Sequence, residues 1–454
     1  MSRVIIIGGG FAGLAAGVRL AERGGCVVNL YERRKHLGGR AYSFTDRRTG
    51  DTVDNGQHLF MKCYLRTRKF LETIGADDRL QFQKKFRLDF LHPGLGPAAL
   101  EFPRLLPPPL NLLAGFMRYR PVNMGDVFRL RRVRAALATP LQSGVTVNDW
   151  LEECRQSPAI RQAFWDPLCI SALNQHPDAA PARHLTSVLK LAFLGRSDST
   201  LMGYPGVGLG AMYTDAARRF IHRHGGVCHV GEAATELRVV EDGKLWIRLK
   251  SGSAVTADAA ICAVTPPALS RLLPEGFEDL KIRLNAYYPS PILSVNLWFA
   301  APVLNRPFVG LLAGRMDWIF NKPMLYNGRD KASSGHVTLV ASAAGSLVDQ
   351  PDERLVEIAL DDLHRFLPET RNIPLEHHLV VRERQATFAL PLDHSPPPNR
   401  TAAPGLYIAG DWTDTGLPAT VESAVESGYR AAAHTMEYLN ANHVPDRCTF
   451  PNQP

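Results

Sequence analysis

Hydrophobic residues in this chain gather in short dense runs, and each run predicts an element. Residues 4–7, "VIII", are four consecutive β-branched apolar positions, the pattern of a parallel strand buried on both faces. "GGGFAG" follows directly, and residues 14–22 then read as a helix in which Ala15, Ala16 and Gly17 are small enough for close packing on a sheet. A second, mainly apolar run at 27–31 ends in Glu32. Further on, "GGVCHVGEAATELRVVEDGKLWIRLKSG" and the following "ADAAICAVTPP" predict strand, hairpin and strand, with a turn at Asp242 and Gly243. Residues 211–224 read as a helix entered through the turn "GVGLGAM". Near the end of the chain an apolar run at 406–409 stops at Gly410 and Asp411. Pro418 and Thr420 then open a helix, with Pro418 at its first position and Glu422 and Glu426 in the early turns, where the helix dipole favours acids. Elsewhere Val127, Leu130, Val133 and Leu137 share one helical face, ringed by Arg129, Arg131, Arg132 and Arg134. Strands alternating with helices predict an α/β fold.

Length changes this picture first. A chain of 454 residues exceeds one ordinary domain, so two intertwined domains are expected. With 45% hydrophobic and 21% charged residues it has the composition of a soluble globular protein with a large core. Its seven cysteines are odd in number and contain no CxxC pair, which argues against a disulfide framework, a zinc site or an iron–sulfur site, and suits a reducing cytosol. A net charge of +8 favours anionic partners. No basic stretch interleaved with aromatics points to nucleic acid. The first 21 residues mimic a signal peptide, but Gly8, Gly9, Gly10, Gly13 and Arg19 break the apolar stretch. No uncharged apolar run approaches the roughly 18 residues that a membrane span needs.

The N-terminal pattern carries chemistry. Gly8, Gly10 and Gly13 fit G-x-G-x-x-G, with Phe11 and Ala12 inside it, and Glu32 follows Gly13 by nineteen residues. The first glycine allows the turn, the second lets the backbone approach a pyrophosphate, and the third lets helix and strand pack closely. The helix tip offers free N–H groups to phosphate, and Glu32 offers acceptors to an adenosine ribose. The glycines alone are weak evidence; strand, glycines, helix, strand and acid in order are strong. This much does not separate NAD from FAD. Arg33 and Arg34 would suit the extra phosphate of NADP, although Glu32 argues against it. A second glycine turn, Gly38-Gly39-Arg40 within "ERRKHLGGRAYS", has no use in a nicotinamide site. "GVGLGAM" lacks a preceding strand and a following acid, so it is no second nucleotide site.

Taken together, these motifs resemble the FAD-binding pattern of the amine oxidase and phytoene desaturase superfamily. The resemblance implies that Gly38, Gly39 and Arg40 lie against flavin and pyrophosphate. It places Asp411, after Gly410, at the ribityl or phosphate end of FAD. It aims the helix tip at Thr420 and Val421 toward the pyrimidine edge of the flavin. Ala234, where relatives more often carry valine, would contact the adenine through its backbone. Three further stretches, "DNGQHLF" at 54–60, "FWDPLCISALN" at 164–174 and "RERQATFALP" at 382–391, resemble the squalene-associated FAD-dependent desaturases of bacterial hopanoid pathways. That similarity covers essentially the whole chain. One departure is Ala179-Ala180-Pro181, where a serine-rich helix start is expected.

The resemblance implies reductive dehydroxylation of hydroxysqualene, a C30 allylic alcohol, to squalene. It makes Gly56, Gln57 and His58 contacts of the cofactor and His58 the candidate general acid for the departing hydroxyl. Asp54 would fix that loop. Phe164, Trp165, Phe388 and Tyr429 are aromatic candidates beside an allylic cation. The implied architecture is a Rossmann-type FAD-binding domain of discontinuous segments, 1–75, 205–270 and 400–440. It is joined to a mixed α+β substrate domain, 76–204 and 271–399, and a tail at 441–454. Within the substrate domain, segment 102–137 pairs an apolar, proline-broken loop with the arginine-ringed helix. That suits contact with an anionic bilayer at the inner face of the cytoplasmic membrane. An external electron donor, a nicotinamide or a small redox protein, is expected. The oligomeric state stays open. Two other readings stay open as well: a carotenoid-type desaturase running the hydride in the opposite direction, and a flavin-free isoprenoid carrier like the Rab GDP-dissociation inhibitors, which share the fold.

Overall fold

The computed structural model describes residues 1–442 apart from 104, 197, 241–242 and 327–334. Asp242 of the expected turn, and residues 443–454 with Cys448, lie outside the described residues.

Five parallel strands form the first sheet: β1 (Ser2–Ile7), β2 (Cys26–Glu32), β3 (Val227–Val230), β4 (Ala259–Cys262) and β5 (Leu406–Ile408). Their order is β3-β2-β1-β4-β5, with Ile5 opposite Asn29 on one side and Ala260 on the other. The "VIII" run divides its side chains between two cores, Val4 and Ile6 into one, Ile5 and Ile7 into the other, as the two-residue period of a strand requires. The first core is closed by α1 (Phe11–Arg23), α2 (Leu65–Thr73), α3 (Leu209–Arg223) and α4 (Val421–Asn442). A three-stranded antiparallel sheet, Ala234–Val239, Leu245–Leu249 and Ala254–Ala257, closes the second. Strand order reverses between β1 and β4, which opens a crevice beyond their C-terminal ends.

The second sheet has seven strands. In spatial order they are Leu375–Ala389, Tyr288–Phe299, Gly335–Ala341, Trp318–Asn321, Phe308–Leu311, Arg87–His92 and Gly96–Glu101. Its pairings are antiparallel except that of Phe308–Leu311 with Arg87–His92. Helix Asp352–Phe366 covers one face. Helices Val147–Glu153, Asp166–Leu173 and Ala182–Phe193 pack on the other. The fold is therefore α/β with a second, mixed unit.

Two expectations need correction. The last helix does not begin at Pro418. It begins at Val421, capped by Thr420, whose hydroxyl accepts from the Ser423 N–H at 3.3 Å and whose carbonyl accepts from Ala424 at 3.0 Å. A threonine oxygen satisfies a free N–H of the first turn, which proline two residues earlier cannot do. The second correction concerns the arginine-ringed helix, Met124–Ala136. Val127, Val133 and Leu137 are buried in the protein's own core, with Leu130 against it. The periodic stripe marks a covered face, and what covers it is protein. Outward stand Arg131, Arg132 and Arg134 together with Met124 and Phe128. No helix among the described residues is long and apolar enough to cross a membrane. The six described cysteines are free and buried.

One buried group predicts a pH dependence. His336, in a central strand of the large sheet, stacks on Trp298 at 4.0 Å and lies 3.2 Å from Asn296 Oδ1. Burial, aided by the Lys322 charge, pushes its imidazole down to about 3. The folded protein thus binds fewer protons here than the unfolded chain, so stability is full above the ordinary histidine value and is lost as pH falls toward 3. Going from pH 7 to pH 5 should cost about 2 kcal/mol through this residue. His336→Gln should remove that share of the acid sensitivity, measured as the difference in urea unfolding free energy between the two pH values.

Candidate active site

The crevice beyond β1, β4 and β5 is a cavity of about 370 Å³, in the range of small-molecule and cofactor sites. Gly8 leaves β1 with φ +109°, and a Cβ there would meet the Ala263 carbonyl at 2.3 Å. Gly8, Gly10, Phe11 and Ala12 line the cavity. Gly13 does not: a Cβ on it would lie 1.9 Å from Gly8 O, so it packs α1 against the strand end. No side chain caps α1 at Gly10, which leaves the first N–H groups of the helix for an anion. Glu32, 6% exposed, accepts from the backbone N–H groups of Gly9 and Arg34, each at 2.8 Å. Arg33 is exposed on the rim, and Ala234 lines the wall.

The second glycine turn is held from two sides. Gly38 N–H donates to Gly9 O at 2.8 Å. Tyr213 of α3 stacks on Phe11 at 3.8 Å and sets its hydroxyl 2.9 and 3.0 Å from the carbonyls of Gly38 and Ala41. Gly38, Gly39 and Arg40 thereby form wall. Arg40 is ion-paired with Asp411 and donates to Ala386 O at 3.1 Å. Gly410, Asp411, Thr420 and Val421 line the cavity too, as do Gly56, Gln57 and His58.

A second cavity, about 200 Å³, has mostly apolar walls that include Phe86, Phe90, Phe164, Phe193, Met202 and Trp318. The two cavities share Gln57, Tyr64, Ser171 and Thr420 together with Leu59, Ala172 and Ile292. They meet across a seam whose polar groups are uncharged. Of the four aromatic candidates Phe164 lines the apolar cavity. Trp165 packs behind it at 4.7 Å, Phe388 lies under Arg40 and Tyr429 under Arg19, and these three line neither cavity.

Behind the seam lies a buried ion pair. Lys322, 2% exposed, donates to Asp54 Oδ2 at 2.8 Å, Gln57 Oε1 at 3.2 Å and Tyr326 Oη at 2.6 Å, which uses all three protons of an ammonium. Tyr326 donates onward to Asp54 at 2.5 Å. The other carboxylate oxygen accepts from Ser43 Oγ at 2.7 Å and from Leu209 N–H, the first residue of α3, at 2.9 Å. Burial alone would raise Asp54, but the Lys322 charge and these hydrogen bonds outweigh it and hold the carboxyl below its usual range. Burial lowers the Lys322 ammonium against the pull of Asp54. Burial also lowers His58, whose Nδ1 lies 3.3 Å from Gly56 O.

Lys322, Tyr326, Tyr64 and Ser171 escaped the sequence reading. The signal for Lys322 was a single lysine in the apolar run "WIFNKPML". For the others there was none, since tyrosines and serines inside helices and loops carry no spacing of their own.

Comparison with known proteins places this geometry. The sequence pattern of the family described as flavin containing amine oxidoreductase matches residues 11–436. The chain is 29% identical over 448 residues to a hydroxysqualene dehydroxylase of Rhodopseudomonas palustris, covering 95% of this chain and 98% of that one. It is 26% identical to a hydroxysqualene dehydroxylase of Zymomonas mobilis over 95% and 98% of the two chains, and 24% identical to a zeta-carotene desaturase of Zea mays over 95% and 83%. Among solved structures it is similar to an oxidoreductase from Methanosarcina mazei, with TM-score 0.74, 18% identity and coverage of 96% and 100%. It is also similar to putrescine oxidase bound to putrescine, with TM-score 0.73, 15% identity and coverage of 96% and 99%.

Lys322→Met leaves the Asp54 carboxylate buried without its cation and should cost about 3–5 kcal/mol of stability. Adding Asp54→Asn should recover a good part of that loss. Thermal unfolding of both variants and the wild type checks this; a double variant no more stable than the single one would mean that the pair is not the unit that matters.

Proposed function

Because the chain belongs to the family of flavin containing amine oxidoreductases, it is an FAD-dependent oxidoreductase, and we propose that it reductively removes the hydroxyl group of hydroxysqualene to form squalene. The observation that carries this reading is the seam. An apolar cavity suits an isoprenoid chain, and it opens onto the cofactor crevice past Tyr64, Ser171 and Thr420. Thr420 donates to Pro418 O at 3.3 Å and Tyr64 is hydrogen-bonded to Thr420, whereas the Ser171 proton has no acceptor among the described residues. A pure hydrocarbon would strip water from it and return nothing, at a cost; a chain with one oxygen accepts it. Similarity along nearly the full length to three bacterial hydroxysqualene dehydroxylases supports the same reading. Enzyme relatives throughout leave no support for the flavin-free carrier.

The crevice fits FAD by its own features. The uncapped tip of α1 and the Gly8–Gly10 turn suit its pyrophosphate, and the Glu32 carboxylate suits the adenosine ribose. Ala234 would meet the adenine. Arg40 and Asp411 would hold the ribityl and phosphate region, and the tip of α4 the flavin ring. Bound and reduced, FAD supplies the hydride. The substrate's C–O bond breaks, a C–H bond forms, and the oxygen leaves as water after gaining a proton. His58 suits that proton poorly: burial lowers its imidazole, so near neutral pH it carries none to spare. Tyr64 stands at the seam beside Thr420 with its phenol protonated, and it donates from there as a weak acid, since burial pushes it up. His58 then serves as an acceptor and as wall.

The electrons come from an external donor, a nicotinamide or a small acidic redox protein. Leu105, Leu110, Met117, Met124 and Phe128 are exposed apolar side chains beside Arg131, Arg132 and Arg134. They would set the enzyme on an anionic membrane, at the cytoplasmic face, where its substrate dissolves.

Anaerobic addition of hydroxysqualene to the dithionite-reduced holoprotein should restore the oxidised flavin bands as squalene appears. Flavin that stays reduced without squalene, together with desaturation of a C30 or C40 polyene by the oxidised protein, would transfer the assignment to the carotenoid-type reaction. For the membrane, co-sedimentation with phosphatidylglycerol vesicles should exceed that with phosphatidylcholine and fall with salt. Met117→Asp combined with Phe128→Asp should weaken it about tenfold or more, since each change removes buried apolar area and adds repulsion. Unaltered sedimentation would place the docking face elsewhere.

A further inference from the structure

We propose that Ser171, oriented by the indole of Trp318, is the group that recognises the substrate's oxygen and so selects an alcohol over the matching hydrocarbon. This rests on the reading that the apolar cavity takes an isoprenoid chain.

Ser171 is exposed and lines both cavities, so its hydroxyl stands where the apolar chain and the cofactor crevice come together. Trp318 Nε1–H donates to Ser171 Oγ at 3.0 Å. An indole nitrogen is a donor only, so this contact occupies a lone pair and leaves the serine's own O–H undirected toward Trp318. Trp318 is the partner of that oxygen among the described residues. The remaining proton is thus available to an acceptor in the cavity, and a substrate hydroxyl oxygen is an acceptor of the right kind.

The serine is held in place from the end of its helix. Asp166–Leu173 is terminated by Asn174 in the left-handed conformation, φ 52°. The buried Asn174 side chain donates to Ser290 O at 3.0 Å and Thr387 Oγ1 at 2.9 Å, and accepts from Ala343 N–H at 2.6 Å. Three loops or strands of the large sheet therefore clamp the helix one turn beyond Ser171. Trp318 rises from the same sheet, so donor and serine share one rigid frame. This gives the stretch "FWDPLCISALN" a purpose: Phe164 supplies wall, Asn174 the clamp and Ser171 the contact. Trp318 touches no oxygen of the substrate in this scheme and is a positioning residue.

The test compares two ligands on the oxidised holoprotein, which has no hydride to give. Hydroxysqualene and squalene are titrated in the same detergent micelles and binding is read from the shift of the flavin bands. The wild type should bind the alcohol more tightly. Ser171→Ala should weaken alcohol binding about three- to tenfold, the worth of one hydrogen bond, without weakening squalene binding. Trp318→Phe keeps the hydroxyl but loses its orienting donor; because Trp318 is also cavity wall for both ligands, the readout is the ratio of alcohol to squalene affinity, which should fall toward that of Ser171→Ala. Equal weakening of both ligands by Ser171→Ala, an undiminished preference in that variant, or no preference in the wild type would each overturn the proposal. Failure of the dehydroxylation reading looks different: reduced wild type makes no squalene, while the oxidised protein still prefers the alcohol through Ser171.

Discussion

The site depends on one carboxylate kept dry. Asp54 is 3% exposed and accepts from Ser43, from the tip of α3, and from Lys322 and Tyr326 at the two ends of the short helix that follows strand Trp318–Asn321. A buried carboxylate is costly, and only a cation and several donors make it tolerable. That requirement ties together parts of the chain with little else in common. The loop holding Gly56, Gln57 and His58 starts directly after Asp54, so its course between the two cavities follows from where the ion pair sits. Lys322 also reaches Gln57 Oε1. Because an ammonium can only donate, the amide of Gln57 has its oxygen facing Lys322.

The parallel sheet and the large sheet meet around this pair. The parallel sheet supplies its crevice by topology alone, where strand order turns. The large sheet supplies the floor of the apolar cavity through Phe90, Trp318, Phe320 and Ile292. Neither yields a two-part site by itself. The Asp54–Lys322 pair is the rivet between them, joining residues 268 positions apart, while the Arg40–Asp411 pair, 371 positions apart, closes the cofactor unit on itself.

What was legible in the sequence was local. The run at 4–7, the glycines, Glu32 at a strand end and Gly410-Asp411 at another reveal themselves through spacing within a few tens of residues, because a phosphate and a ribose must be met within one βαβ unit. Gly13 is legible in the same way: the motif gives its third glycine to close helix–strand packing, and a Cβ there would meet Gly8 O. Lys322 and Ser171 answer to partners far away in the chain, and no periodicity encodes that. The helix Met124–Ala136 teaches a different lesson. Its apolar stripe at Val127, Leu130, Val133 and Leu137 marks a covered face, but a stripe is silent about the cover, and the expected bilayer is replaced by the protein's own core. Protein and lipid demand the same spacing. Pro418 misled in the same way, since a proline marks where a helix cannot yet run as well as where it starts.

Charge around the seam decides what kind of molecule belongs there. Arg40 is matched by Asp411 and Lys322 by Asp54. Glu422, on the wall of the apolar cavity, spends its carboxylate on the N–H groups of Arg66 and Thr67 at 2.8 Å each and on the Thr67 hydroxyl at 2.7 Å. Arg40, Lys322 and Glu422 thus each have partners, and what the residues shared by the two cavities present is hydroxyl and amide. An unmatched ion would hold water and keep a hydrocarbon chain away. A seam without polar groups would accept a polyene with no preference for oxygen. Neutral donors beside a dry cavity satisfy one oxygen on an otherwise apolar chain, and that balance is what the proposed removal of a hydroxyl group rests on.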